Sequence, residues 1–160
     1  MRGWIVDDDP IFQLTAEQVF RQVSGWDNVE TFLRAREALQ VLQHRQRFEP
    51  YALPDAILLD LNMPVVDGWD FIDEWERESV MCNKKIRIII VSASLGFSER
   101  NQIKEKHTVL AALDKPINAK ELRNLLSFGI HSGDINEGYS PDYWASGANH
   151  GMRDNLHDNN

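Results

Sequence analysis

The chain has 160 residues, a net charge of −8, 42% hydrophobic content and a single cysteine, Cys82. That length fits one domain with a real core; the charge excludes nucleic acid as the main partner, because phosphate binding needs a basic face; and a lone cysteine forms no intrachain disulfide, so a reducing, cytoplasmic setting is expected. No apolar run approaches the roughly 20 residues that cross a bilayer, so no membrane insertion is expected, and three aspartates at 7–9 rule out a signal peptide.

The first apolar strand begins near Arg2 and ends at Ile5-Val6. Asp7-Asp8-Asp9-Pro10 follows, and a proline suits the first turn of a helix, where its missing N–H is not needed. Phe12, Ala16, Val19, Phe20 and Val23 recur at helical spacing and predict a helix through Ser24, ended by Gly25. Asn28–Phe32 reads weakly as a strand. Ala35, Ala38, Leu39 and Leu42 predict a second helix to about Arg47. Residues 48–55 read as a loop with two prolines.

Ala56-Ile57-Leu58-Leu59 is an unbroken apolar run into Asp60, the pattern of a strand buried on both faces of a parallel sheet. Pro64 cannot continue a central strand, and Gly68 permits a sharp turn. A third helix is predicted from Gly68 to about Val80, with Phe71, Ile72 and Trp75 on one face. Trp69 and Trp75 read as packing residues. Ile86–Val91 is another buried strand, with Ser92-Ala93-Ser94 at its end. Phe97–His107 is a weak amphipathic helix with Ile103 as its one strong interior apolar residue. Val109–Leu113 is a fifth strand, terminated by Asp114-Lys115-Pro116, and Leu122, Leu125 and Leu126 mark a last helix over about 118–128.

Strands alternating with helices predict an α/β fold: a five-stranded parallel sheet with helices on both faces. Residues 1–128 form that domain. Residues 129–160 hold five glycines and five asparagines, carry a net charge of −4 and show no periodicity, so they are expected to be an acidic tail, flexible or loosely docked.

Asp7-Asp8, Asp60, Ser92 and Lys115 all stand at the carboxyl ends of predicted strands, where open α/β sheets keep their sites. Gathered carboxylates repel one another unless a cation sits among them, and oxygen ligands of this kind suit Mg²⁺ or Mn²⁺. Carboxylate, divalent metal, hydroxyl and lysine together make a phosphoryl-transfer site with an aspartate nucleophile. Asp9, next to Pro10, reads as the start or cap of the first helix rather than a metal ligand. The five histidines show no metal-ligand spacing.

These pieces resemble the receiver domain of two-component response regulators: Ile5-Val6-Asp7-Asp8, Leu58–Pro64 with Asp67-Gly68, Val91-Ser92-Ala93, and Asp114-Lys115-Pro116-Ile117. The resemblance implies a flavodoxin-like strand order, 2-1-3-4-5. It implies Asp60 as phosphoacceptor, attacking a phosphohistidine on a sensor histidine kinase or a histidine phosphotransfer protein. Asp8 and Asp60 would ligate Mg²⁺ directly, Asp7 mostly through water, and Asn62 by its backbone carbonyl. Ser92 would turn its hydroxyl toward the phosphoryl group and Lys115 would pair with a phosphoryl oxygen. Asn62 and Ser94 match positions that tune hydrolysis, and the Lys115-Pro116 bond is expected to be cis.

One departure stands out. Receivers often carry an aromatic residue three positions before the lysine, and here that position is Ala112, which has no rotamer to switch. With only 32 residues after the core, a single-domain regulator is expected. It would catalyse its own phosphorylation and slow autodephosphorylation, and signal through the fourth helix, fifth strand and fifth helix to a downstream protein. The competing readings are a haloacid-dehalogenase-type phosphatase, a flavodoxin-like cofactor binder, and a receiver that docks without phosphorylation. The first wants an aspartate where Asn62 stands; the second wants a phosphate loop where Asp7-Asp8-Asp9 would repel one; the full acid, hydroxyl and lysine set argues against the third.

Overall fold

The computed structural model describes residues 1–26 and 28–131, with side chains to 127. The elements run β1 (Arg2–Val6), α1 (Pro10–Arg21), β2 (Asn28–Phe32), α2 (Ala35–Phe48), a 3-10 turn at Pro50–Ala52, β3 (Ala56–Asp60), α3 (Gly68–Ser79), β4 (Arg87–Ser92), α4 (Phe97–Ile103), β5 (Val109–Asp114) and α5 (Ala119–His131). The strands form one sheet in the order β2-β1-β3-β4-β5, and every neighbouring pair is parallel. This is the flavodoxin-like arrangement, with its switch point between β1 and β3. The expected acidic tail lies outside the described residues from 132 onward.

Alternation along the strands divides the core in two. Trp4, Val6, Ile57, Leu59, Ile88 and Ile90 face α2, α3 and α4, meeting Leu39, Leu42, Phe71, Ile72, Trp75 and Ile103. Ile5, Leu58, Ile89 and Val91 face α1 and α5, meeting Phe12, Ala16, Phe20, Leu122, Leu125 and Leu126. All five residues of β3 are buried, as its unbroken apolar run requires. Trp75 is fully enclosed and Trp69 packs on the same cluster, both as structural side chains.

Four boundaries differ from the sequence pattern. α1 stops at Arg21, three residues short of the predicted end. Val23 and Trp26 are still buried, but they reach the core from a turn that closes at Gly25, whose φ of 86° favours glycine. α4 ends at Ile103 rather than His107, because Ile103 is its one buried side chain and the next residues fold as separate turns. β5 extends by one residue, to Asp114, and α5 continues to His131.

Candidate functional site

The carboxyl edge of the sheet gathers the acidic residues. Asp7 follows β1 directly, and its N–H donates to Phe32 O at 3.0 Å, which prolongs the β1–β2 ladder by one rung. Gln13 clamps this corner: its Nε2 donates to Asp7 O at 2.9 Å and to Phe32 O at 2.8 Å. Gln13 is buried on the inner face of α1. A polar residue there gives no signal in the sequence, so its part in fixing Asp7 emerges only from the fold.

Asp7 Oδ1 accepts the Asp9 N–H at 2.9 Å. Asp9 caps α1, its Oδ1 accepting from Ile11 N at 2.8 Å, which is the role expected from Pro10. The three aspartates thus divide. Asp7 turns in and is fully buried, Asp8 is exposed at the rim, and Asp9 belongs to the helix.

Asp60 ends β3 and is 5% exposed. The chain after it doubles back at once, since Gly68 N donates to Leu61 O at 3.0 Å. A Cβ on Gly68 would stand 2.4 Å from Asp60 O and 2.8 Å from Leu61 Cα, so only glycine permits this approach. Between them, Val66 N donates to Pro64 O at 2.9 Å around Val65, whose φ is 73°. That is a γ-turn on a β-branched residue, a strained conformation. Leu61, Met63 and Val66 are buried and pin the loop while Val65 points into solvent.

Carboxylate oxygens of Asp7, Asp8 and Asp60 all lie within 4.8 Å of one another. Burial pushes the Asp7 carboxyl above its ordinary value; Asp60 pushes the same way, while the Lys115 ammonium and the Asp9 N–H oppose it. Lys115 Nζ stands 2.6 Å from Asp7 Oδ2 and 3.3 Å from Asp60 Oδ2, and 4.3 Å from the centre of the Phe12 ring. The Lys115 ammonium is the one cation against that buried oxygen among the described residues. An inward oxygen of this kind beside two more carboxylates fits a hard, oxygen-seeking divalent cation. Lys115 is held by the last rung of the β4–β5 ladder, its N–H donating to Ser92 O at 2.8 Å, and the Lys115-Pro116 bond is cis.

Ser92 is fully buried at the end of β4. Among the described residues its hydroxyl has only long contacts: Asn62 Nδ2 at 3.4 Å, Ser94 O at 3.3 Å and Ser94 N at 3.4 Å. Hydrogen bonds of that length hold a hydroxyl weakly, so Ser92 is poised to rotate. The fold thus brings Asp7, Asp8, Asp60, Asn62, Ser92, Ser94 and Lys115 to one edge. Ala112 is half-buried on β5 against the α2–α3–α4 side of the core, two residues before the strand ends at Asp114.

Comparison with known proteins finds the same fold. A two-component response regulator from Cytophaga hutchinsonii superposes with a TM-score of 0.74 at 23% identity, covering 82% of this chain and 97% of that one. A response regulator receiver from Dyadobacter fermentans gives 0.69 at 27% identity, covering 82% and 99%. The receiver domain of the Arabidopsis thaliana histidine kinase CKI1, in complex with Mg²⁺, gives 0.68 at 27% identity, covering 79% and 90%. A hybrid signal transduction histidine kinase of Dictyostelium discoideum is 32% identical over 102 residues, 62% of this chain but only 6% of that protein's length. The sequence matches the response regulator receiver domain over residues 4–127, and the chain belongs to that family.

Proposed function

We propose that this receiver takes a phosphoryl group onto Asp60 in two-component signalling. The observation that carries the reading is the meeting of three carboxylates within 4.8 Å with the Lys115 ammonium against the two buried ones. An Asp60 oxygen attacks phosphorus while the P–N bond of a donor phosphohistidine breaks and the imidazole leaves. The donor is a sensor histidine kinase or a phosphotransfer protein, a cytoplasmic partner in this reading.

Asp7, Asp8, Asp60 and the Asn62 carbonyl would hold Mg²⁺. The ion supplies charge neutralisation for phosphoryl oxygens beside carboxylates. The rest falls to the chain itself. Buried β3 fixes the nucleophile, Lys115 provides a cation for a phosphoryl oxygen, and the weakly held Ser92 hydroxyl turns to donate to another. Asn62 and Ser94 flank the path of a hydrolytic water and tune the lifetime of the acyl phosphate.

The readout then lies in how Lys115 and Ser92 move. With Ala112 in place of an aromatic, movement of Ser92 and the loop at Ser94-Leu95 is passed to α4, which is seven residues long, buries Ile103 alone among its side chains and is tied to β5 by the Arg100–Asp114 pair at 3.4 Å. So little buried area makes α4 easy to displace, and α4, β5 and α5 form the face offered to a downstream protein. Ile11 and Leu14 stand exposed on α1 and Val65 on the neighbouring loop, an apolar rim for the approaching donor.

The test is incubation with Mg²⁺ and acetyl phosphate, read by intact mass. One phosphoryl adduct is expected, lost with a chelator and absent in Asp60→Asn. An adduct that persists in Asp60→Asn rules the reading out.

A further inference from the structure

The amino edge of the sheet, far from Asp60, carries an apolar patch that phosphoryl transfer does not use. Phe48, at the end of α2, is 69% exposed; Tyr51, in the 3-10 turn, 77%; Val80 and Met81, just past α3, 82% and 84%. Two contacts hold these segments together. Gln46 Nε2 donates to Glu78 O at 3.1 Å, and Lys84 Nζ donates to Leu53 O at 2.7 Å. Large apolar side chains grouped on an exposed surface mark a docking site.

The described chain ends at this same edge. α5 runs against the strands, and Arg87 Nη1, on the first residue of β4, donates to Leu126 O at 2.8 Å. The 29 residues after His131 therefore set out from the end of the sheet where the patch lies. Tyr139, Tyr143 and Trp144 are the aromatic residues among them. Tyr139 follows His131 by eight residues and Trp144 by thirteen. Extended chain spans about 3.3 Å per residue, so the reach is about 25 Å to the first and about 40 Å to the second. Crossing from the α5 layer to the α2–α3 layer takes roughly 20 Å, the sum of two packed helix-on-sheet spacings.

We propose that the segment Glu137–Trp144 folds back over Phe48, Tyr51, Val80 and Met81 and covers them within the same molecule. The aromatic rings meet the apolar patch. Glu137 and Asp142 meet a rim where Arg47 and Lys85 are exposed and where Glu49 and Glu78 are half-buried. The contact leaves the Asp60 edge open, so the segment covers the patch without blocking phosphoryl transfer.

The test uses the full chain with the photoreactive residue p-benzoylphenylalanine in place of Tyr51. After irradiation, mass spectrometry of the digest is expected to find cross-links from position 51 to residues 137–144 in protein of monomer mass. Cross-links between two copies assign the patch to self-association, and cross-links confined to residues 1–131 leave the segment undocked; either overturns the proposal. Hydrogen exchange supplies the second arm. Amides of 137–144 are expected to exchange at least about fivefold faster in the Phe48→Asp/Met81→Asp variant than in the parent. The acetyl phosphate reaction of the two, with its separate readout, serves as the folding control. Equal exchange across 137–144 in two reactive proteins contradicts the docking and leaves the assignment of Asp60 untouched.

Discussion

Lys115 Nζ lies closer to Asp7 than to Asp60, 2.6 Å against 3.3 Å. In this state the lysine neutralises the buried acidic pair. Stripping the cation from two enclosed carboxylates is costly, because removing one member of a buried pair leaves an uncompensated charge. Lys115→Ala is expected to lose about 2 kcal/mol in urea unfolding with chelator present and to recover most of it in Mg²⁺, since a ligand that binds only the folded state stabilises it. Equal losses with and without Mg²⁺ would argue against a shared cation site.

The same burial sets a sign for Asp7. Its folded carboxyl binds a proton more tightly than the unfolded one. Its charge therefore costs stability as pH rises from the unfolded value, about 3.9, through the folded one. Asp7→Asn removes that cost and is predicted to be more stable than the parent at pH 7 without metal, by on the order of 1 kcal/mol. Chemical denaturation at pH 7 in chelator measures it.

The opposite sign applies at the amino edge. Arg45 holds the Glu30 carboxyl below its ordinary value against the effect of burial, with a 2.7 Å ion pair. Burial raises Asp55, but the Arg2 N–H and Lys84 outweigh it and hold it low. Lowered carboxyls stabilise the fold above their unfolded values, about 4, and that stability is lost as pH falls through the folded ones. The double variant Glu30→Gln/Asp55→Asn should be about 1–2 kcal/mol less stable at pH 7, with a flatter slope below about pH 4.5. A pH series of unfolding midpoints decides the matter, and parallel slopes would refute it.

Gly68 couples the loop to the nucleophile. A methyl there meets the Asp60 carbonyl at 2.4 Å, so main chain must move. Gly68→Ala is predicted to cost about 2 kcal/mol and to slow phosphorylation by acetyl phosphate. At Gly3 the added Cβ would meet the Phe20 ring at 2.9 Å, on the α1 side of the core. Gly3→Ala should cost stability while leaving the reaction rate unchanged in the folded protein.

Val65 stores strain in the γ-turn after Asp60. A β-branched residue at φ 73°, 95% exposed, has no packing to offset its conformation. Val65→Gly should raise stability by about 0.5–1 kcal/mol, the relief of strain less the entropy that glycine loses on folding. A thermal melt that moves down instead would refute the strain argument.

The strands at Ala56–Asp60 and near Ile86–Val91 were legible because both faces are covered, which makes every position apolar. The edge strand Asn28–Phe32 was faint because solvent reaches most of it. The end of α1 lies earlier than the apolar pattern suggests because Val23 and Trp26 are apolar for the sake of a turn, and periodicity does not tell a buried turn from a buried helix face. Within the site, Asp7, Asp8, Asp60, Ser92 and Lys115 were visible as polar residues that stop apolar runs. Gln13 was invisible, because its work is done on two backbone carbonyls brought together only by strand pairing. The preference of Lys115 for Asp7 likewise depends on the depth of each carboxylate, which spacing along the chain does not encode.

The most direct measurement traps the acyl phosphate where it forms. The protein is reacted with acetyl phosphate and Mg²⁺, reduced with borohydride, which converts an aspartyl phosphate to homoserine, and digested for peptide sequencing by mass spectrometry. Homoserine is expected at position 60 alone, in a yield that depends on acetyl phosphate and Mg²⁺. Homoserine at position 7, 8 or 9 with Asp60 unmodified would contradict it.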